Sequence, residues 1–495
     1  MILKEHSVFP ALNFDTTHPW EAMIDLSGGF LDTRGLRRLV SLLDGKCQSV
    51  IVEREYIDKD YRDTFSNFHA KRFSTPPSRC VRLHFFEKPI TEAQLDDPQS
   101  IFKGNTYLGY SVIRPTRPNS IGRTFLSHHV RMDPDSHLCL CTEMVQVLGE
   151  KLEVRGFPFI SQDADATVCA ESSLWMILRY LSNRYSNYAE TLPFQITKLA
   201  SNHALGNRVF PSAGLYSWQL AEALRLRDVS PVIYSRAQFA DDEFEHLLYT
   251  YIESGFPLLT TIDQHVFVSF GHSSDFGTIP AQELGKFRYT SCFNESLVIC
   301  DDNCFPYQSL RKSAARKTGN CSDSTFSEIN EFIVPLPEKV FLPAEAAQKA
   351  IEKVLNDPET GISKHSPSLS GEDLTLRLFL TTGRALKSKL SQRGMGNELV
   401  ASLYRQIPLP HFIWVCEISV TSEYVSGLTI RGEVLWDATR NAYEPNGWLA
   451  LHYPESLIVD IGSIFNGPQR LENFPLQSSV PYPLFQSNLN SLKPS

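Results

Sequence analysis

Between Cys169 and Cys300 the chain changes its period: three helical stretches come first and three apolar strands follow. Cys169 to Leu181 sets Leu174, Ile177, Leu178 and Leu181 on one stripe, the spacing of a helix with an apolar face. Ser217 to Arg225 reads as a second helix. Asp242 to Ser254 reads as a third; it stops at Gly255, in the left-handed capping position, with Pro257 just beyond. Leu258 to Ile262, Val266 to Phe270 and Leu297 to Cys300 are short apolar runs of strand character. Helices first and strands afterwards, within one unit, predict an α+β domain.

This unit sits between two others. A chain of 495 residues holds two or three domains at ~100–200 residues each. The expected division is an accessory mixed α/β region over 1–150, the α+β unit over 151–340, and a C-terminal α/β region over 341–495 with a tail disordered at its end. In the first, Leu36 to Leu43 has helical spacing. Ser49 to Glu53, Val81 to Phe86 and Tyr107 to Ile113 read as strands, the last closed by Arg114-Pro115. Two strings there, Tyr56-Ile57-Asp58-Lys59-Asp60-Tyr61 and Ile121-Gly122-Arg123-Thr124, carry no chemistry by themselves. Beyond Asp302 a polar loop is expected to about Ser327. A helix then covers Glu345 to Leu355, a connector His365 to Gly371, and a helix the stretch near Leu374 to Leu390. Strands follow at Phe412 to Val420 and Ser426 to Trp436.

Charge and cysteine usage narrow the function. The net charge of −9 argues against nucleic acid as the partner, since phosphate binding wants a basic stripe. The stretch from Arg311-Lys312 to Arg316-Lys317 reads as a solvated loop. The opening Met-Ile-Leu-Lys-Glu-His-Ser shows no charged stretch followed by an apolar one, so no signal peptide is expected, and no apolar run approaches the ~20 residues that cross a bilayer. A soluble, cytoplasmic protein without a membrane partner is expected. Ten cysteines are too dilute for a disulfide scaffold, and Cys139 and Cys141 lack a second pair at zinc-finger spacing. Most thiols read as small buried hydrophobes, and no metal or cofactor is expected. His128, His129 and His137 read as surface or satisfied histidines, and Trp175 as core.

One ordered set of residues does carry chemistry. A nucleophilic cysteine needs a lowered pKa, an imidazole, a group to orient that imidazole, and donors for an oxyanion. Cys169 stands at a helix start behind the polar run Gln162-Asp163-Ala164-Asp165-Ala166-Thr167, where free N–H groups and the dipole favour a thiolate. Gln162 offers a second oxyanion donor. His265 opens an apolar strand, and Asp301 ends the next one. His272 competes with His265 as base, though seven residues along one strand puts the two on opposite faces. Asp302 competes with Asp301, and if the strand continues only one of the two can serve.

Gln-x6-Cys-Ala at a helix start, then Gly-x-Pro, strand and His, then strand and Asp, resembles the papain-like cysteine peptidase superfamily. Within it, the arrangement is most similar to the peptidases that trim double-glycine leaders from bacteriocin precursors. The likeness covers about Phe157 to Tyr307. Ala170, Glu171 and Ser172 follow the cysteine where leader peptidases carry Gly and, two beyond the cysteine, Pro. The resemblance implies a helix bearing the nucleophile packed on an antiparallel sheet bearing His and Asp. It implies Cys169 as nucleophile, His265 as base, Asp301 as orienter and Gln162 as oxyanion donor. The expected activity is cysteine peptidase cleavage of a peptide or isopeptide bond in a specific protein substrate. Acyl transfer, transglutamination or deamidation by the same thiol is the alternative, as is a non-catalytic binding scaffold.

Overall fold

The computed structural model describes residues 2–14, 20–116, 119–130, 135–162, 169–201, 215–281, 287–312, 324–391, 398–441, 447–464, 470–477 and 480–491. The polar run ahead of Cys169 (163–167), most of the basic stretch after Lys312 and the last four residues lie outside them.

Three large sheets organise the chain. The first is an antiparallel sheet of eight strands built from the N-terminal region, in the spatial order 2–3, 11–13, 49–56, 80–86, 107–113, 121–127, 150–159, 141–147. The second is the sheet of the central unit. Its main path runs 229–235, 329–337, 258–262, 265–274, 294–301, 305–311, also antiparallel. The third runs 288–289, 374–382, 412–420, 432–437, 448–453, 456–460, 471–475. Among the described residues, no helix is long and apolar enough to cross a membrane.

The expected regions interlock. The strand Glu150–Phe159 belongs to the first sheet, while Ser136–Leu138 adds to the second by pairing with Gly271 to Ser273. Arg288–Tyr289 joins the third sheet in parallel with Thr375 and Leu376. The apolar cores follow suit: one cluster combines Leu83, Val112 and Phe157 of the first sheet with Leu174, Trp175 and Ile177 of the helix Cys169–Arg184. That helix is buried on every side from Ala170 to Leu181, not along one stripe. It lies between layers, so each face has something to pack on.

A helix buried on all sides must pair its polar groups. Ser173 Oγ donates to the Val266 carbonyl at 3.0 Å, fastening the helix to the strand His265–Ser274. Arg179 reaches Asp60 at 3.2 Å, and Asp60 and Asp58 in turn hold Arg123 at 3.5 and 2.8 Å. The two strings of the N-terminal region thus meet in one buried ionic cluster that pins that region to the helix.

The helix Asp241–Glu253 ends as its sequence dictates. Gly255 adopts φ +84°, and the Gly255 and Phe256 amides donate to Ile252 and Tyr251, closing the last turn. Its final residue, Glu253, is 3% exposed and centres a second ionic network. Its carboxylate lies 2.8 Å from His272 Nε2 and accepts from Arg377 at 2.7 Å. Arg377 also donates to Glu417 at 2.8 Å. The Arg377 guanidinium holds the Glu253 carboxyl far below the usual carboxylate range against the effect of burial.

Three expectations need correction. Leu374–Thr382 is a strand, and only Gly383–Lys389 is helical, capped by Thr382 Oγ1 on the Ala385 amide. Leu374, Leu376, Leu378 and Leu380 alternate with Thr375, Arg377, Phe379 and Thr381, the period of two that belongs to a strand, and both sets are buried, in a strand with neighbours on both sides. The polar loop after Asp302 contains the strand Phe305–Arg311. The stretch from Ser426 begins inside the helix Thr421–Gly427 and becomes strand at Thr429–Ile430 and Gly432–Asp437. Of the tail, Phe485 is fully buried and Asn490–Ser491 pair with Leu138 and His137.

Two outcomes are expected. Arg377→Met strands Glu253 and Glu417 as buried, uncompensated charges, which costs about 3–5 kcal/mol in urea unfolding; a loss under 1 kcal/mol would show the network to be dispensable. Burial pushes His84, His137 and His246 down to about 4, whereas an unfolded histidine titrates near ~6.5. The unfolded state therefore binds more protons between these values, and stability falls as pH drops through that window. Urea midpoints measured at intervals from pH 7 to pH 4 should decline less steeply in His246→Gln than in the parent chain.

Candidate active site

The hairpin that leads into His265 is as short as a hairpin allows. Ile262 pairs with His265 across the two residues Asp263 and Gln264, and Asp263 takes φ +51°, which aspartate tolerates. His265 is therefore the first residue of its strand, with its ring at the sheet's mouth and one third exposed. On the other side, Val268 pairs with Cys300. Continuing that antiparallel register puts Asp301 opposite Phe267, on the face His265 shares, one diagonal step away. The observed contact agrees: Asp301 Oδ2 lies 3.0 Å from His265 Nε2, as an ion pair and not as a linear hydrogen bond.

Asp301 is itself held. Its Oδ1 accepts the Asn303 amide at 2.8 Å, which leaves Oδ2 for the imidazole. The Asn303 side chain accepts from Gln162 Nε2 at 3.3 Å. Gln162 is positioned from the N-terminal region: the buried Arg114 donates to the carbonyls of Ile121 and Ser161 at 2.9 and 3.0 Å. Gln162, Asn303, Asp301 and His265 thus form one chain of contacts.

Cys169 is the first residue of its helix and partly exposed. Its thiol is near enough to His265 to help raise the pKa of the ring. Burial lowers the His265 pKa, but the close approach of Asp301 and Cys169 and the charges of Asp301 and Asp302 outweigh it and raise the ring to about 10. The imidazole is accordingly a cation at neutral pH, the partner a thiolate needs.

Asp302 does not point away. The strand ends at Asp301 and the chain turns, the Cys304 amide donating to the Asp301 carbonyl at 3.0 Å. Both carboxylates therefore face the ring, with Asp302 Oδ1 4.0 Å from Nε2. Burial first and then the charge of Asp301 push Asp302 up to about 7, against the pull of His265, the Gln162 amide and Arg38. His265, Asp301 and Asp302 place three donor atoms within 4.8 Å of one another. His272 lies elsewhere: it is 1% exposed, paired to Glu253 and stacked on His137 at 5.2 Å.

Sequence reasoning missed Asn303, Arg38 and Cys304. Arg38 projects from the helix Thr33–Leu43 and feels Asp302 and Asp301. Burial, then Arg34, lowers it to about 10 despite those carboxylates. Leu36 to Leu43 announced a helix, but nothing in the spacing tied its polar face to residues some 260 positions on. Cys304 is disulfide-bonded, which the reading of most thiols as small buried hydrophobes does not single out.

The arrangement makes thiol reactivity uneven. Burial pushes Cys47 and Cys139 up to about 12, and the partly exposed Cys292 up to about 11. In native alkylation with iodoacetamide followed by peptide mapping, Cys169 should be modified at least tenfold faster than Cys292, and His265→Ala should remove the advantage. Equal rates for the two thiols would deny Cys169 any activation. Compared with protein-family models, curated proteins and solved structures, the chain matches none.

Proposed function

We propose that the chain is a cysteine hydrolase of papain-like type that cuts a peptide or isopeptide bond in a specific protein substrate. The observation that carries this reading is the ordered contact Cys169, His265, Asp301, with the cysteine at a helix start. Cys169 attacks the scissile carbonyl as a thiolate. The oxyanion is received by amides at the helix start, joined by the Gln162 side chain once it leaves Asn303. His265 donates its proton to the leaving amine, a thioester forms, and His265 then takes a proton from the attacking water. Asp301 keeps the ring in place through both halves. A specific substrate is favoured by Arg38: the N-terminal region brings a charge to the site, so groups outside the α+β unit bear on it.

The test combines turnover with product mass. A pooled set of peptides and isopeptide-linked peptides is incubated with the chain and the products are weighed. Cys169→Ala should reduce turnover at least ~10⁴-fold, and Asp301→Asn should lower kcat more than it raises KM. Products heavier by an added amine, in place of free acids, would reassign the chain to acyl transfer. Turnover that survives Cys169→Ala would sink the proposal.

A further inference from the structure

The chemistry just described uses one carboxylate, and the structure holds two. Asp302 is 1% exposed, and neither of its oxygens makes a hydrogen bond. The Gln162 amide approaches but falls short of hydrogen-bond geometry. His265 Nε2, which Asp302 faces, is likewise buried without a hydrogen bond. Burying a carboxylate with nothing bound to it is unfavourable. A position where three such donors converge is one that a further group would stabilise.

Geometry narrows the group. From His265 Nε2, Asp301 Oδ2 lies at 3.0 Å and Asp302 Oδ1 at 4.0 Å. Ligands on a tetrahedral zinc with bonds of about 2.1 Å stand about 3.4 Å apart. The two observed separations bracket that value and all three donor atoms lie within 4.8 Å of one another, so side-chain shifts of about 1 Å would close the set. One imidazole and two carboxylates suit zinc better than magnesium or calcium, which take oxygen ligands in larger number. Three protein donors leave the fourth position of a tetrahedral ion to water.

We infer that His265, Asp301 and Asp302 form a zinc site, and that filling it switches the Cys169 chemistry off. The ion bonds to the Nε2 lone pair, and the proton there leaves to solvent; the carboxylates bind without breaking a bond, and nothing is oxidised or reduced. A metal-bound Nε2 cannot carry a proton, and Asp301 turned toward the ion no longer orients the ring. The binding half of the inference stands on the donor geometry. The regulatory half rests on the proposed thiol hydrolase.

The test uses the full chain stripped of metal. Zinc chloride is titrated in competition with a chromophoric chelator, and Cys169 alkylation is followed in parallel. One tight site per chain is expected, weakened at least tenfold in Asp302→Asn and retained in Cys169→Ser. Zinc should slow Cys169 alkylation at least tenfold, and a chelator should restore it. Zinc K-edge absorption on the parent chain, which needs no variant, should show nitrogen and oxygen in the first shell with imidazole scattering. Absence of a site, equal affinity in Asp302→Asn, or a shell of sulfur alone overturns the inference. Zinc bound as described with a Cys169 no more reactive than Cys292 would sink the hydrolase and leave the metal site. A reactive Cys169 indifferent to zinc would do the reverse.

Discussion

The strand His265–Ser274 is the member on which the two chemically distinctive parts of the molecule depend. It is held on both sides, by Leu258–Ile262 and by Asn294–Asp301. Its first residue faces two carboxylates at the sheet's mouth, and His272, seven positions on, faces Glu253 in the interior. A one-residue slip would turn every side chain to the other face and dissolve both arrangements together. The slip is opposed by the Asp263–Gln264 turn at one end and by Ser173 holding the Val266 carbonyl. It is opposed at the other end by the Glu253–Arg377–Glu417 network, which admits one register only.

The site is also a product of regions distant in the chain. The N-terminal sheet supplies Arg114, which sets Gln162, and the Asp58–Arg123–Asp60 cluster, which fixes the helix bearing Cys169 through Arg179. Arg38 brings a guanidinium to the carboxylate pair. Much of this burial places charge on charge, an arrangement that adds specificity of position more reliably than stability. The N-terminal region therefore bears on the site's geometry directly, through its arginines.

How much of this was legible in the amino-acid sequence depends on range. The helix Ser217–Arg225 and the strands Tyr107–Ile113, Leu258–Ile262 and Phe412–Val420 have the bounds their local patterns imply. Each is set by residues near at hand: capping, a glycine stop, a proline. The expectation of a helix over Leu374–Thr382 overlooks leucines that alternate at a period of two; the helix Gly383–Lys389 follows directly, and the boundary between the two is missed. Cys169, His265 and Asp301 could be singled out because each sits at an element end that local patterns mark. Asn303 and Arg38 could not: the first acts through its backbone amide and a side-chain acceptor in a turn, the second across a fold-level contact. Whether Asp302 faced the ring depended on where one strand stopped, and single-residue boundaries are what sequence patterns resolve least well.

The segment Phe485–Ser491 threads between layers made much earlier in the chain. Phe485 offers its carbonyl to Arg377 and its amide to Glu417. Asn488 caps the carbonyls of Glu253 and Leu380 and accepts from Thr381, so closely that a side chain at Gly255 would meet its main-chain oxygen at 3.1 Å. Asn490 and Ser491 complete the pairing of Leu138 and His137. Every group this segment satisfies is translated before it. On the ribosome, then, the end of the helix Asp241–Glu253 and the strands Leu374–Thr382, Phe412–Val420 and Ser136–Leu138 wait with open hydrogen-bonding groups until this segment emerges. The nascent chain therefore passes through a form in which these layers are made and the groups between them are still open.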